Sequence, residues 1–227
     1  MIYVLINGNR MKFLASYLNA MEITEDSIFE ENDVIILPLR WEKQIKQNLY
    51  LLKNLTLFVP YSNQCLSEYN KVFAYMEDET LLIENAKLTA LGMIQILSEI
   101  TSLYEIKVDV IGQGRCAKAL IVLLDYLNIK YRILYYKQKE NTVLIEDHLQ
   151  LSNILINTAD VFAFENKDID FTNVEYMIDL SSYKPFIVLE KEYPTKIIYP
   201  GPLPELYFAR SSAQLIETFT RRNLNEN

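Results

Sequence analysis

The sequence predicts an α/β fold in which two doubly wound parallel sheets are joined by a long helix. Short apolar runs alternate with segments of helical periodicity along the 227 residues, as in chains that build parallel sheets. Several runs, including residues 33–37, are continuously apolar, which is typical of strands covered on both faces. A long segment of helical periodicity, residues 85–103, divides the alternation into two series. Two domains and a connecting helix are therefore expected.

The composition limits the classes of function. Half of the residues are hydrophobic and 23% are charged, which is typical of a chain with a packed core. The net charge of −8 and the pI near 4.9 argue against a general nucleic-acid binder and against binding to anionic membrane surfaces. Cys65 and Cys116 lack the spacing of a metal site, and free thiols are typical of a reducing compartment. With no leader or membrane span predicted, we expect a cytoplasmic protein without metal, nucleic-acid or membrane partners.

Residues 1–84 are predicted to form a small first domain. Its strands are expected at residues 2–6, 33–37, 55–59 and 80–83, and its helices at residues 10–18 and 66–76. Gly8, between the first strand and the first helix, is interpreted as a turn glycine that does not by itself predict a nucleotide site. Trp41, the only tryptophan, is assigned to the core, with a cleft lining as the alternative.

Residues 85–104 are predicted to form a hinge helix between the domains. Apolar side chains recur there at helical spacing, and no proline interrupts them. A hinge between two α/β units is a common place for a ligand cleft. Gly92 lies inside this helix, where glycine costs about 1 kcal/mol relative to alanine. A close approach of backbone or ligand and tight helix–helix packing explain that glycine equally well.

Residues 106–120 carry the strongest functional signal. An apolar run ending at Ile111 is followed by the spacing G-x-G-x-x-A, formed by Gly112, Gly114 and Ala117, and by a predicted helix at 115–127. In a dinucleotide-binding turn, the first glycine permits the sharp turn and the second lets a pyrophosphate approach the backbone. A small third residue lets the helix lie close to the sheet. The N–H groups at the helix N-terminus suit a phosphate. A βα turn that binds nothing is the alternative.

Residues 105–208 are accordingly predicted to form a Rossmann-type NAD(P)-binding domain. Its further strands are expected at residues 130–136, 153–157, 177–180 and 196–199. An NAD-preferring site places an acidic residue at the end of the second strand. Lys137 and Lys139 follow that strand here, and a cation suits a 2′-phosphate, so NADP is favoured, with NAD as the alternative. An ordinary solvated lysine pair explains the same residues equally well.

The loops after the later strands are the expected floor of the ligand cleft, because ligands of open parallel sheets lie beyond the carboxyl ends of the strands. The polar residues expected near a ligand are Asn157, Thr158, Asp179 and Ser181. Each could instead cap a helix or form a turn. Pro202 belongs to a further such loop, residues 200–204. A last helix within residues 209–227 is expected to pack back toward the first domain. His148, the only histidine, is assigned to the surface.

The order of these motifs resembles that of the dipicolinate synthase A-type family, whose members are two-domain NAD(P)-binding proteins. That family belongs to the wider group of dehydrogenases built like formate and glycerate dehydrogenases. The resemblance covers most of the chain from residue 85 onward. Its matches are Asn85, Thr89 and Gly92 in the hinge helix, residues 112–117 in the glycine turn, Lys137, and residues 156–158, 179–182, 200–204 and 213–216.

The resemblance implies an activity and a set of site residues. The activity is oxidation of a dihydrodipicolinate-type precursor, a small-molecule substrate, to dipicolinate during sporulation, and the implied partner is a separate B subunit. A homo-oligomer is a further alternative. The expected cofactor contacts are Gly112, Gln113, Gly114, Arg115, Cys116, Lys137, Asn157 and Thr158. The expected substrate cleft contains Asn85, Thr89, Asp179, Ser181 and Pro202, and its catalytic candidates are Thr89 and Ser181.

Two departures from the family count against catalysis. Leu91 stands where the family's hinge helix carries a glutamate, and its loss removes a carboxylate suited to proton transfer or substrate orientation. The chain is also shorter than the family, and the difference falls in the first domain. A non-catalytic nucleotide-binding or assembly subunit is therefore the alternative. A 2-hydroxyacid dehydrogenase ranks last, because that family needs a late glutamate–histidine pair and His148 lies well before that region.

Overall fold

The computed structural model describes residues 1–43, 53–194 and 196–225. The chain divides into two compact units, one formed by Met1–Asn85 with Pro204–Asn227 and the other by Ala86–Leu203. Each unit contains a parallel β-sheet with helices, and all strand pairs in the described parts are parallel. The predicted α/β class with two parallel sheets is confirmed.

The first unit contains a five-stranded sheet. Its elements are β1 (Ile2–Val4), α1 (Asn9–Leu18), β2 (Met21–Glu22), β3 (Val34–Ile36), β4 (Thr56–Val59), α2 (Gln64–Ser67) and β5 (Lys71–Ala74). The strand order is β2-β1-β3-β4-β5, so β2 and β3 lie on opposite sides of β1. Trp41 is buried in the core of this unit, as the core assignment predicted.

The helix predicted at residues 66–76 is wrong. Only the four residues of α2 are helical, capped by the Asn63 side chain, which accepts a hydrogen bond from the Cys65 N–H at 3.0 Å. The chain then enters β5, where Phe73 stacks on Phe58 of β4 with 5.0 Å between ring centroids. Pairing with a distant strand therefore overrides the local helical spacing.

The strand predicted at residues 80–83 is also wrong, because these residues belong to α3 (Glu79–Ile100). Asp78 starts this helix early: its carboxylate accepts a hydrogen bond from the Leu81 N–H at 2.8 Å, as an N-cap does. Among the described residues, α3 is the one helix long and apolar enough to cross a membrane, and 39% of that stretch is buried. Ala90, Met93 and Leu97 pack into the core of the second unit, as in the central helix of a folded domain.

The second unit contains a six-stranded sheet of order β11-β10-β9-β6-β7-β8. Its elements are β6 (Lys107–Ile111), α4 (Arg115–Tyr126), β7 (Lys130–Tyr135), β8 (Val143–Leu144), β9 (Ile154–Asn157), β10 (Tyr176–Asp179) and β11 (Ile197–Ile198). The five strands expected for this unit are all present. The two-residue strands β2 and β8 are too short to give a periodic signal.

The last helix, α5 (Leu203–Asn225), begins six residues before the predicted start at residue 209. Phe208 has non-helical backbone angles, so a kink separates the first turns from the rest. Ala213, Ile216 and Phe219 pack into the core of the first unit, where the Phe219 ring meets the Phe58 ring edge-on at 6.0 Å.

Candidate functional site

The glycine turn lies where the strand order of the second sheet reverses. β6 is paired with β7 on one side and with β9 on the other, and the turn 112–114 follows β6 at its carboxyl end. In open parallel sheets this switch point opens a crevice in which ligands bind. The position of the turn therefore matches the position expected for a nucleotide.

Gly112 is required by the turn for two reasons. Its φ of +107° is a conformation that residues with a Cβ rarely adopt. A Cβ there would also stand 2.5 Å from the Thr158 hydroxyl oxygen. That hydroxyl donates a hydrogen bond to the Ile111 carbonyl at 2.7 Å and thereby fixes the loop after β9 against the turn. Thr158, predicted as a cofactor contact, lies directly beside the turn.

Gly114 is open where Gly112 is crowded. Apart from its chain neighbours, no atom of the described residues lies within 4 Å of the position that a Cβ would take there. Gly114 is also the N-cap of α4, and no side chain of the described residues caps this helix. The N–H groups at the start of α4 therefore face space that an anionic group can enter. Ala117, the third small residue of the motif, is fully buried, as close packing of the helix on the sheet requires.

The two lysines after β7 are placed differently. The Lys139 ammonium donates a hydrogen bond to the Gln113 side-chain oxygen at 2.5 Å, so it reaches the glycine turn. The Lys137 ammonium instead lies over the Tyr136 ring, 5.2 Å from its centroid. Sequence reasoning assigned the cofactor contact to Lys137, whereas the structure brings Lys139 to the turn. The sequence showed two lysines after this strand, but it did not show which of them reaches the turn.

Cys116 and Thr89 are brought together at the start of α4. The Cys116 thiol is hydrogen-bonded to the Thr89 side chain, which places the α3 candidate beside the glycine turn. Burial raises the pKa of the Cys116 thiol above its ordinary value, although the Arg115 charge and the Thr89 hydrogen bond oppose this rise. The side chain is therefore a neutral thiol at physiological pH. Arg115 itself is exposed on the first turn of α4.

Asn157 and Asp179 form a buried polar network at the ends of β9 and β10. They are 0% and 2% exposed, and the Asn157 amide donates to the Asp179 carboxylate at 2.8 Å. The same carboxylate accepts hydrogen bonds from the backbone N–H groups of Ser181 and Phe186, at 3.1 and 2.9 Å. Both residues were expected near a ligand. Their hydrogen bonds instead hold the two loops in place.

Ser181 is paired with a carboxylate that sequence reasoning missed. Its hydroxyl donates to the exposed Asp160 at 2.7 Å and accepts a hydrogen bond from the Tyr183 N–H at 3.1 Å. The negative charge of Asp160 also acts on the Cys116 thiol. Asp160 therefore belongs, with Thr89, Cys116 and Ser181, to a cluster of polar side chains beyond the glycine turn. Its position two residues after Thr158, at the carboxyl end of a strand, was the signal in the sequence.

Of the other residues singled out in the sequence, Asn85, Pro202 and His148 lie outside this cluster of polar side chains, and Gly92 has a structural role. Asn85 falls in the first unit, and Pro202 is exposed in the loop between β11 and α5. A Cβ at Gly92 would stand 2.9 Å from Leu203, so tight helix–helix packing accounts for that glycine. His148 is exposed in the loop between β8 and β9, beside Asp168.

Comparison with solved structures confirms the resemblance at the level of the fold. A dipicolinate synthase A-type protein from Bacillus halodurans matches with a TM-score of 0.71 and 14% identity, over 98% of this chain and 97% of its own. Another such protein, from Bacillus subtilis, matches with a TM-score of 0.75 and 16% identity, over 99% of this chain and 95% of its own. Apo D-lactate dehydrogenase from Escherichia coli is more distant, with a TM-score of 0.50 and 12% identity over 100% and 97%. No family model and no curated protein matches the sequence. The chain thus shares the fold of the dipicolinate synthase A-type proteins.

Proposed function

We propose that this chain is an NAD(P)-binding oxidoreductase subunit of the dipicolinate synthase A type, with NADP as the favoured cofactor. The observation that carries the proposal is the open glycine turn at the switch point of the second sheet. Gly112 has the backbone conformation of such a turn, and Gly114 leaves room for a pyrophosphate at the N-terminus of α4. The fold shared with the dipicolinate synthase A-type proteins supports the same conclusion.

The residues around the turn fit a dinucleotide. The N–H groups of the turn and of α4 would hold the pyrophosphate, with Arg115 adding positive charge. Lys139 would meet a 2′-phosphate at the end of β7, and Lys137 remains a candidate for the same contact. The bound cofactor would supply the hydride chemistry, while the protein binds and orients the reactants.

The cluster of polar side chains beyond the glycine turn would meet the substrate. Thr89 and Ser181 remain the catalytic candidates, and the hydrogen bond between Ser181 and Asp160 gives the hydroxyl a carboxylate that can hold its proton. The proposed reaction is the oxidation of a dihydrodipicolinate-type precursor to dipicolinate. A cytoplasmic location and a B-type partner belong to the same proposal.

A second candidate is a non-catalytic nucleotide-binding protein. It is favoured by Leu91, which is 43% exposed on α3 and brings no carboxylate to the surface where the family carries one. The internal hydrogen bonds of Asn157 and Asp179 favour it as well, because they occupy two groups that could otherwise contact a substrate. Turnover of NADPH or NADP⁺ by the purified chain with an identified substrate, alone or with its partner, would exclude this candidate.

The variant Gly114→Val tests the nucleotide site. A Cβ at this position meets no other described residue, so we expect the fold to remain intact while the valine side chain fills the space in front of α4. We expect calorimetric titration to show NADPH affinity reduced by about a hundredfold, which corresponds to about 2.8 kcal/mol of binding free energy.

Tyr126→Val is the matched control. Tyr126 is the last residue of the same helix and is 84% exposed, so this variant should bind NADPH as the wild type does. Equal NADPH affinity in Gly114→Val and in the wild type would refute the assignment of the turn.

A further inference from the structure

The first unit has a switch point of its own. Its strand order β2-β1-β3-β4-β5 reverses at β1, and the turn Asn7-Gly8-Asn9 follows the carboxyl end of that strand. Sheets of this order bind ligands in the crevice between β1 and β3. The turn 7–9 and the start of α1 therefore lie where a ligand of the first unit is expected.

Arg10, in the first turn of α1, is a buried cation with poor pairing. It is 9% exposed, and its sole ion pair among the described residues joins a terminal guanidinium nitrogen to Glu205 at 3.5 Å. Its Nε is buried without a hydrogen-bond partner in the described part of the chain. Charge-assisted hydrogen bonds are typically about 2.7–2.9 Å long, and a guanidinium carries five donors. The site therefore holds positive charge and donors that the described residues do not fully use.

The Glu205 carboxylate lies against both Gly8 and Arg10. One of its oxygens lies too close to the Cβ position of residue 8 for a side chain to fit, so Gly8 is needed for this close approach rather than for its extended backbone. No side chain of the described residues caps the N-terminus of α1 at Gly8. Glu205 also lies in the first turn of α5, where a carboxylate is stabilised by its own helix. It can therefore leave Arg10 without becoming an unfavourable charge.

Tyr75 lies close enough to Arg10 and Glu205 for their charges to act on it. Its hydroxyl is buried and donates a hydrogen bond to the Leu37 carbonyl, just beyond β3, at 3.0 Å. Burial raises the pKa of Tyr75, the Arg10 charge lowers it, and the nearby Tyr61 and Glu205 raise it further. The hydroxyl is thus committed to the backbone, and Arg10 remains the group available to an anion.

We propose that Gly8, Arg10 and the N-terminus of α1 form a binding site for the carboxylate group of a small molecule. Glu205 is the internal carboxylate that such a ligand displaces. A ligand carboxylate can meet the planar guanidinium with two parallel hydrogen bonds, which the 3.5 Å contact to Glu205 does not provide. All of these groups belong to the first unit, so the site is built without any residue of the glycine turn.

The test is calorimetric titration of the full chain with dipicolinate in the absence of any dinucleotide. The choice of this probe rests on the proposed function, whereas the site rests on the first unit alone. Pyridine-2,6-dimethanol is the neutral control of similar shape, and inorganic phosphate is the second anion. We expect dipicolinate to bind measurably and the dimethanol not at all. Phosphate binding as tight as that of dipicolinate would contradict the assignment to carboxylates.

The variant Glu205→Gln separates a ligand site from a purely structural ion pair. Removing the internal competitor should raise the affinity for dipicolinate about tenfold, a change of about 1.4 kcal/mol in binding free energy. Arg10→Gln should abolish binding. Arg222→Gln is the control, because Arg222 is another arginine of the first unit that pairs with a carboxylate, Asp78, and it should leave the affinity unchanged.

Thermal unfolding keeps the test decisive if a variant folds poorly. Glu205→Gln leaves Arg10 without its carboxylate, so its Tm should fall, and saturating dipicolinate should raise that Tm more than it raises the wild-type Tm. An affinity of Glu205→Gln no higher than that of the wild type, or a Tm that dipicolinate does not raise, would overturn the proposal. Because no dinucleotide is present, neither result bears on the glycine turn.

Discussion

At the scale of single residues, the two glycines of the turn have opposite surroundings. Gly112 combines a φ of +107° with a contact that excludes a Cβ, whereas Gly114 has an ordinary φ of −70° and open space in front of it. The first glycine is therefore needed for folding and the second for access to the helix N-terminus. The spacing of the motif predicts both roles, but the contact of Gly112 with Thr158 depends on pairing between β6 and β9.

Substitution by alanine should separate these two roles. Gly112→Ala should destabilise the protein by about 1–3 kcal/mol, because it adds strain at a positive φ and a clash with Thr158. Gly114→Ala should cost less than about 1 kcal/mol, the usual size of a change at an N-cap. Urea unfolding followed by circular dichroism measures both. Equal destabilisation by the two substitutions would contradict the structural role assigned to Gly112.

Several site residues could not be predicted from the sequence because their partners are far along the chain. Asn157 and Asp179 have the residue types of ligand contacts, yet each is the other's hydrogen-bond partner across β9 and β10. Arg10 resembles any exposed arginine of an amphipathic helix until Glu205 is brought beside it. A polar residue at a strand end therefore indicates the edge of the sheet, but not which way its side chain bonds.

At the scale of secondary structure, α3 shows how a cap overrides local propensity. Residues 80–83 have the branched and apolar side chains of a strand, but Asp78 supplies an N-cap and the helix begins at Glu79. Asp78 also accepts a hydrogen bond from Arg222 of α5 at 2.6 Å. Burial alone would raise the pKa of Asp78, but the hydrogen bonds from Leu81, Arg222 and Thr80, together with the Arg222 charge, hold it below its ordinary value.

Asp78→Ala should destabilise the protein by about 1 kcal/mol at pH 7, the usual cost of losing an N-cap. Because the folded-state pKa is lower than that of the unfolded chain, the contribution of the carboxylate is fully present above about pH 4 and is lost as the pH falls through the folded-state pKa. The stability difference from the wild type, measured by urea unfolding, should therefore shrink at low pH.

Arg222→Gln serves as the control for this pH dependence. It removes the ion pair and keeps the cap, so it should cost less at pH 7, within the range of about 0–1 kcal/mol for exposed pairs. A destabilisation by Asp78→Ala that is unchanged between pH 7 and low pH would contradict the assigned role of the charge.

At the scale of the whole molecule, both sheets place a βα turn at the point where their strand order reverses. The alternation of apolar runs and helical segments was sufficient to predict two parallel sheets and the glycine turn of the second. It was not sufficient for β5, because pairing with β4 decides that segment. It was also insufficient for the first turn of α5, which precedes the kink at Phe208.

Binding of NADP by the second unit at the glycine turn can be measured by calorimetric titration of the wild-type chain with NADPH, NADH and NAD⁺. We predict micromolar affinity for NADPH and weaker affinity for NADH, because Lys139 and Lys137 follow β7 where NAD-preferring sites carry an acidic residue. Absence of binding by every dinucleotide would contradict it and would leave the glycine turn as a purely structural feature of the fold.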